Sequence, residues 1–191
     1  MRSKKNDLEY LVAASIELQQ YIFSPHLFWT LSGPKGAALQ GDTDRLTPGN
    51  ILLTMRRLEG AEFSEADEKA YQIALAAIQQ TIAQWRSNWA KKAAQEFSKR
   101  LDLWSDYLHS LYKSPEDHRG DYAYHIRDRV ILVLLLTEIE PPEAATLQYV
   151  ATMDARLNGI LRPDGFVWED AIARNFPEEQ FPYLYATPKM E

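Results

Sequence analysis

Apolar residues recur at helical spacing along most of the chain, and no segment alternates regularly enough to predict a strand. Residues 7–23 place apolar side chains every three or four positions, which predicts an amphipathic helix. The segment 24–46 loses this period and is rich in glycine and proline, so it predicts a long connecting loop. Thr47 followed by Pro48 is typical of a helix start and predicts a second helix that ends near Leu58.

An apolar stripe runs through the middle of the chain, where the segment 61–114 contains neither glycine nor proline. Eleven steps cover 40 residues, or 3.64 residues per step, which is the period of a straight α-helix. The stripe consists of Tyr71, Leu75, Ile78, Ile82, Trp85, Trp89, Ala93, Phe97, Leu101, Trp104, Leu108 and Leu111. It predicts one very long helix over about 64–113, with a bend near Ser87-Asn88 as the alternative.

The last third of the chain predicts further helices and an aromatic tail. Helices are expected from about Tyr122 to Glu138, over 142–158 and over 167–175, each bounded by proline, glycine or a capping residue. The tail 176–191 holds three prolines and four aromatic residues without helical spacing, which predicts an extended strap laid over apolar surface. The expected fold is therefore all-α: one domain over 1–191, a bundle of about five helices around the very long helix.

Composition is that of a soluble globular protein, with 46% hydrophobic and 25% charged residues. The absence of cysteine excludes disulfides, thiolate catalysis and cysteine-based metal sites, and it fits a cytoplasmic, bacterial-type protein. The longest apolar run, Val130–Leu136, has seven residues, whereas a membrane span needs about 20. We therefore expect no membrane association.

The net charge of −6 is unevenly distributed. Residues 1–113 carry 14 basic and 13 acidic side chains, a net charge of +1, and residues 114–191 carry 7 and 14, a net charge of −7. Because binding to a phosphate backbone needs clustered lysine and arginine, the acidic third is not expected to contact nucleic acid.

One polar cluster has the residue types of a metal or catalytic site. On an unbroken helix its members share one face: His118, Asp121, Tyr122, His125, Asp128 and Arg129. Imidazole and carboxylate groups on neighbouring turns can share a divalent metal, and His26 from the loop could complete such a site. However, the two histidines are seven residues apart and no Glu-x-x-His motif occurs, so we expect no metal, no cofactor and no catalytic residue.

Two further patterns suggest phosphate or nucleic-acid binding. Ser32-Gly33-Pro34-Lys35-Gly36 resembles a phosphate-binding loop, but its lysine precedes the glycine and no strand comes before it. The stripe also interleaves tryptophans with Arg86, Lys91, Lys92, Lys99 and Arg100, a combination that can grip single strands. Because most of these bases point away from the stripe, nucleic-acid binding is kept only as an alternative.

The leading functional hypothesis is a protein–protein interaction or scaffold role with self-association, not catalysis. A helix of some fifty residues is about 75 Å long, whereas a domain of this size is about 40 Å across. A projecting apolar stripe would favour a homodimer, and its contact residues would be Trp85, Trp89, Trp104, Leu108 and Leu111. The alternatives are a helical-bundle enzyme or ligand-binding protein with a site near 118–128, and nucleic-acid binding along the basic side of the helix.

Overall fold

A computed structural model describes residues 3–32 and 45–189. The chain is mostly helical, which confirms the predicted all-α class. No helix in the described part is both long and apolar enough to cross a bilayer. The expected loop over 24–46 falls partly outside the described residues, and its described ends meet in an antiparallel bridge between Trp29 and Leu46. The described residues form two compact units: an N-terminal unit of residues up to 96 with 137–139, and a C-terminal unit of 97–136 with 140–189.

The described residues of the N-terminal unit form three helices and the first part of a fourth: α1 (Lys4–Phe23), α2 (Pro48–Leu58), α3 (Glu65–Gln84) and α4 (Arg86–Lys113). Their starts follow the capping chemistry of the sequence, because the side chains of Thr47 and Ser64 accept hydrogen bonds from backbone N–H groups three residues ahead. Gly60, at φ 65°, takes the left-handed conformation just after α2.

Helix α1 is central to the packing of this unit. It lies against α2 and α3 and buries one face completely, including Tyr10, Leu11, Leu18 and Tyr21. These side chains share a core with residues of α2, α3 and the start of α4, such as Trp89. The amphipathic helix predicted over 7–23 is therefore confirmed and begins one turn earlier than expected.

The prediction of a single helix over about 64–113 is wrong. Trp85 leaves helical geometry at φ −118° and ψ 37°, so α3 ends at Gln84 and α4 begins at Arg86. The carbonyl of Trp85 accepts hydrogen bonds from the N–H groups of Asn88 and Trp89, at 3.0 Å each, so the break costs few backbone hydrogen bonds. The Trp85 ring meets the ring of Phe23 edge-on, with 4.7 Å between centroids. The break in the helix thus coincides with a tertiary contact of one residue.

The C-terminal unit contains the rest of α4 and three more helices, α5 (Pro115–His118), α6 (Tyr122–Leu135) and α7 (Ala144–Ile160). Antiparallel packing of α4 and α6 follows from two contacts, Arg100 with Asp128 and Tyr107 with His125. The second half of α6 is largely buried, as its continuous apolar run predicts.

The C-terminal tail covers apolar surface, as expected, but it is not simply extended. It contains a 3₁₀ turn over Pro182–Tyr185 and a strand, β2 (Ala186–Pro188), which pairs antiparallel with β1 (Leu161–Pro163). Phe176 and Phe181 are fully buried and touch edge-on, with 5.4 Å between centroids. The two strands are elements that the sequence pattern did not predict.

Candidate functional site

The polar cluster at 118–128 does not lie on one helix. His118 ends α5, Asp121 lies in the 3₁₀ turn Arg119–Asp121, and His125 and Asp128 lie on α6. The expected shared face is therefore wrong for the first two residues, because the turn containing Gly120 interrupts the helix. No group of three histidine, aspartate or glutamate side chains in the described residues is arranged to hold a metal ion.

His125 is packed as an aromatic side chain. Its ring stacks on Tyr107, with 4.2 Å between centroids and 14° between planes, and Tyr124 meets it edge-on. Burial lowers the pKa of His125, against the opposing influence of the carboxylates of Asp128 and Asp121. Burial likewise raises the pKa of the Tyr107 phenol, with a further contribution from Asp121. The stacked imidazole ring of His125 is therefore part of the packing between α4 and α6.

Three other members of the cluster, Tyr122, Asp128 and Arg129, form ion pairs or hydrogen bonds within the unit. Asp128 accepts a hydrogen bond from buried Arg100, at 2.5 Å. Arg129 holds Asp154 of α7 with two hydrogen bonds, of 2.8 and 2.6 Å. Tyr122 donates its hydroxyl proton to the carbonyl of Tyr183, at 2.7 Å. His26 belongs to the N-terminal unit, where its carbonyl accepts a hydrogen bond from Lys92.

The residues expected to mediate self-association are mostly buried in the single chain. Trp89, Trp104, Leu108 and Leu111 are at most 3% exposed, and Trp85 is half-buried. The indole N–H of Trp89 donates to Glu138, at 2.8 Å. The exposed apolar stripe on which the expected dimer depended is therefore absent, whereas the oligomeric state itself stays a prediction.

The basic side of the stripe is also largely occupied. Lys92 donates to the carbonyls of Ser24 and His26, at 2.8 and 2.6 Å, and burial lowers its pKa. Arg86 pairs with Glu138, and Arg100 pairs with Asp128. Of the five basic residues, only Lys91 and Lys99 are exposed without a described partner, which leaves no row of bases for a nucleic-acid strand. Most of the loop resembling a phosphate site, 33–36, lies outside the described residues.

Helix α7 presents a surface that sequence reasoning missed. Only Met153 and Leu157 are buried among its 17 residues. The exposed positions of its first three turns form what we call the α7 face: Ala144, Ala145, Leu147, Gln148, Tyr149, Ala151, Thr152 and Ala155. Leu147 and Tyr149 are 41% and 47% exposed, which is high for large apolar side chains.

The α7 face carries no charge. The ten residues from Ala144 to Met153 include no Asp, Glu, Lys or Arg, although a quarter of all residues in the chain are charged. At that frequency, about two or three would be expected in ten positions. This lack of charged residues is the feature of the sequence that could have indicated the α7 face, because the exposed face of a helix normally carries charged residues.

Helix α7 is held beside the C-terminal half of α4. The hydroxyls of Tyr149 and Ser105 are hydrogen-bonded at 2.7 Å. Two turns further along α7, Arg156 is close enough to Tyr112 to act on its pKa. Burial raises that pKa and has the larger effect, whereas the charge of Arg156 lowers it. Tyr112 is itself 37% exposed. The chain matches no model of a known protein family, no curated protein and no solved structure.

Proposed function

We propose that the protein acts through protein–protein association, as a scaffold that self-associates through the α7 face. The observation that carries this proposal is an exposed helix face without charge in the most acidic part of the chain. Interface cores are depleted in charged residues and enriched in tyrosine, so the composition of the face fits a contact surface. This proposal keeps the interaction role and the cytoplasmic setting expected from the sequence. It replaces the apolar stripe with the α7 face as the contact surface.

The α7 face allows a second copy of the chain as the occupant, because it places no charge in the contact. Residues 114–191 have a net charge of −7, so two copies repel each other over most of this region. The α7 face is a surface at which two copies can approach without placing like charges opposite each other. Its alanines allow close approach of the helices, and Leu147 and Tyr149 supply apolar contact area.

The size of the face sets the expected strength of association. A helix of 17 residues is about 25 Å long, and two such helices can pack antiparallel about a two-fold axis. One helix face on each side buries less than the roughly 1,600 Å² of a standard interface. We therefore expect a reversible dimer, with a dissociation constant in the micromolar range or weaker.

Sedimentation equilibrium over a wide concentration range tests this proposal. The wild-type protein should shift from the mass of one chain, 22.0 kDa, toward twice that mass as its concentration rises. Ala151→Glu places a charge at the centre of the face without lowering helix propensity much, and it should keep the protein monomeric. Ala76→Glu is the matched control, because Ala76 is an exposed alanine in the middle of α3.

Two results would overturn the proposal. One is a constant mass of one chain up to several hundred micromolar. The other is equal weakening of the dimer by Ala151→Glu and Ala76→Glu, since the effect would then not depend on the α7 face. Circular dichroism of both variants verifies that the helices are retained.

A further inference from the structure

We propose that a cavity in the C-terminal unit binds a phosphate monoester with a small apolar body. The cavity has a volume of about 300 Å³ and lies between the 3₁₀ turn before α6 and the β1–β2 pair. Two arginines line it, Arg119 from the turn and Arg162 from the middle of β1. This site is separate from the α7 face and does not depend on self-association.

The two guanidinium groups are the chemical reason for assigning an anion. Arg119 and Arg162 are 43 positions apart in sequence, and the fold brings them to one cavity. Neither forms an ion pair with a described residue, whereas Arg100 and Arg129 of the same unit are each paired with an aspartate. In a region with 14 acidic residues, two unpaired arginines at one cavity indicate a site for an external anion.

Asp164, two positions after Arg162 in the sequence, is already engaged in other hydrogen bonds. The Asp164 carboxylate accepts hydrogen bonds from the N–H of Gly165, at 2.8 Å, and from the hydroxyl of Thr187, at 2.9 Å. These bonds lower the pKa of Asp164, to which the charge of Arg162 contributes less. The guanidinium group of Arg162 therefore remains available to donate hydrogen bonds to a ligand.

The residues that line the cavity determine which non-anionic group the ligand can carry. The lining residues include Tyr122 and three residues with apolar side chains, Ala123, Val167 and Pro188. Because the Tyr122 hydroxyl donates to the Tyr183 carbonyl, it is not a free donor for a ligand. A volume of about 300 Å³ is at the small end of ligand pockets, which suits a body of one ring or a short aliphatic chain.

Charge matching favours a phosphate monoester over a carboxylate. A phosphate monoester carries about −1.5 to −2 at neutral pH, close to the opposite of the two guanidinium charges. Arginine also binds phosphate oxygens in a bidentate manner. A carboxylate would balance only one of the two arginines, so it should bind more weakly.

Isothermal titration of the full-length protein with phenyl phosphate tests the site. Phenyl phosphate should bind more tightly than benzoate or inorganic phosphate, and the neutral analogue benzyl alcohol should show no measurable binding. Arg119→Gln and Arg162→Gln should each weaken phenyl phosphate binding about tenfold or more, because each removes a charge-assisted contact. Arg156→Gln is the matched control, since Arg156 is an exposed arginine of the same unit that does not line the cavity.

A second pair of variants tests the cavity without changing charge. Gly120 lines the cavity, and a Cβ placed there meets no atom within 4 Å apart from its chain neighbours, so Gly120→Leu should fold and add a large side chain at the cavity wall. It should weaken phenyl phosphate binding, whereas Gly159→Leu, at an equally open glycine of α7, should leave binding unchanged. Thermal unfolding of all variants verifies that they are folded.

Three outcomes would overturn the proposal. The first is no binding of phenyl phosphate to the wild-type protein up to about 10 mM. The second is binding that Arg156→Gln weakens as much as Arg119→Gln and Arg162→Gln do, which would indicate non-specific charge attraction. The third is equal binding of phenyl phosphate and benzyl alcohol, which would exclude recognition of the anion.

Discussion

Replacing Glu96 should strongly destabilise the N-terminal unit. This side chain is fully buried, and its two carboxylate oxygens accept hydrogen bonds from the hydroxyl of Thr47, at 2.7 Å, and from the N–H of Gly49, at 2.6 Å. The same Thr47 oxygen accepts from the N–H of Asn50, at 3.1 Å, and so caps α2. Glu96 therefore satisfies donors at the start of α2, where the helix dipole also favours a negative charge.

The contacts of Glu96 give the size of the effect. Glu96→Gln keeps the shape of the side chain but replaces one acceptor with an amide group that cannot accept from either donor. One buried donor then loses a charge-assisted bond, so the free energy of unfolding should fall by about 2–4 kcal/mol. Glu96→Ala leaves both donors without the carboxylate and creates a cavity, so it should cost about 4 kcal/mol or more. Both values are large fractions of the stability of a typical domain.

Urea unfolding, followed by tryptophan fluorescence and circular dichroism, measures these losses. Asp102→Asn is the matched control, because it makes the same carboxylate-to-amide change at an exposed position of α4 and should alter stability by less than about 0.5 kcal/mol. The double variant Glu96→Gln/Thr47→Val should be less destabilised than the sum of its single variants, because the two side chains share a hydrogen bond. A Glu96→Gln protein as stable as the wild type would refute the reasoning.

Four further variants test the packing of the C-terminal unit. Arg100→Met alone should lower the free energy of unfolding in urea by about 3–5 kcal/mol, because it leaves Asp128 buried and unpaired. Arg100→Met/Asp128→Leu should recover most of that loss. An equally unstable double variant would contradict this reasoning. Burial lowers the pKa of His125, so below its ordinary value of 6.5 the unfolded state binds the proton more readily and stability falls with acidification. His125→Phe should make the stability less dependent on pH between about pH 7 and 5, and identical pH profiles would disprove the assignment. Phe181→Ala should cost about 3–5 kcal/mol and lower the melting temperature by several degrees, whereas an unchanged melting curve would mean that the tail contributes nothing to the core.

The helix starts could be predicted from the sequence because capping is a local interaction. Thr47 and Ser64 bond to N–H groups only three residues away, so the residue types alone identify both starts. The link from Thr47 to Glu96 spans 49 positions and joins a cap to the middle of another helix. No local pattern in the sequence indicates that pairing. The pairing nevertheless explains how the fully buried Glu96 is accommodated in the unit.

The break at Trp85 could not be predicted from periodicity. A single residue outside helical geometry hardly changes the average period, and the stripe continues in register on both sides. Glycine and proline mark breaks that arise from backbone preference, whereas this break coincides with the contact between Trp85 and Phe23. These two residues are 62 positions apart in the sequence, so no local pattern indicates that they are in contact.

The strands and the ion pairs were missed for related reasons. Strands β1 and β2 have three residues each, too few to show alternation, and each ends in proline. Asp128 was a candidate metal ligand because the residues near it in sequence are polar, but its partner Arg100 comes from a different helix. A carboxylate's chemistry therefore depends on which cation the fold places against it.

The α7 face and the arginine cavity should act independently, although both belong to the C-terminal unit. Ala151 is nine residues, or about 13 Å along the helix, from Ile160, where α7 passes directly into β1 and Arg162. Substitutions separated by more than about 10 Å without shared partners usually have additive effects. Ala151→Glu should therefore abolish the dimer and leave the affinity for phenyl phosphate within about twofold, whereas Arg162→Gln should weaken phenyl phosphate binding and leave the sedimentation profile unchanged. If phenyl phosphate instead shifts the monomer–dimer equilibrium of the wild-type protein, the two sites are coupled and the cavity regulates association.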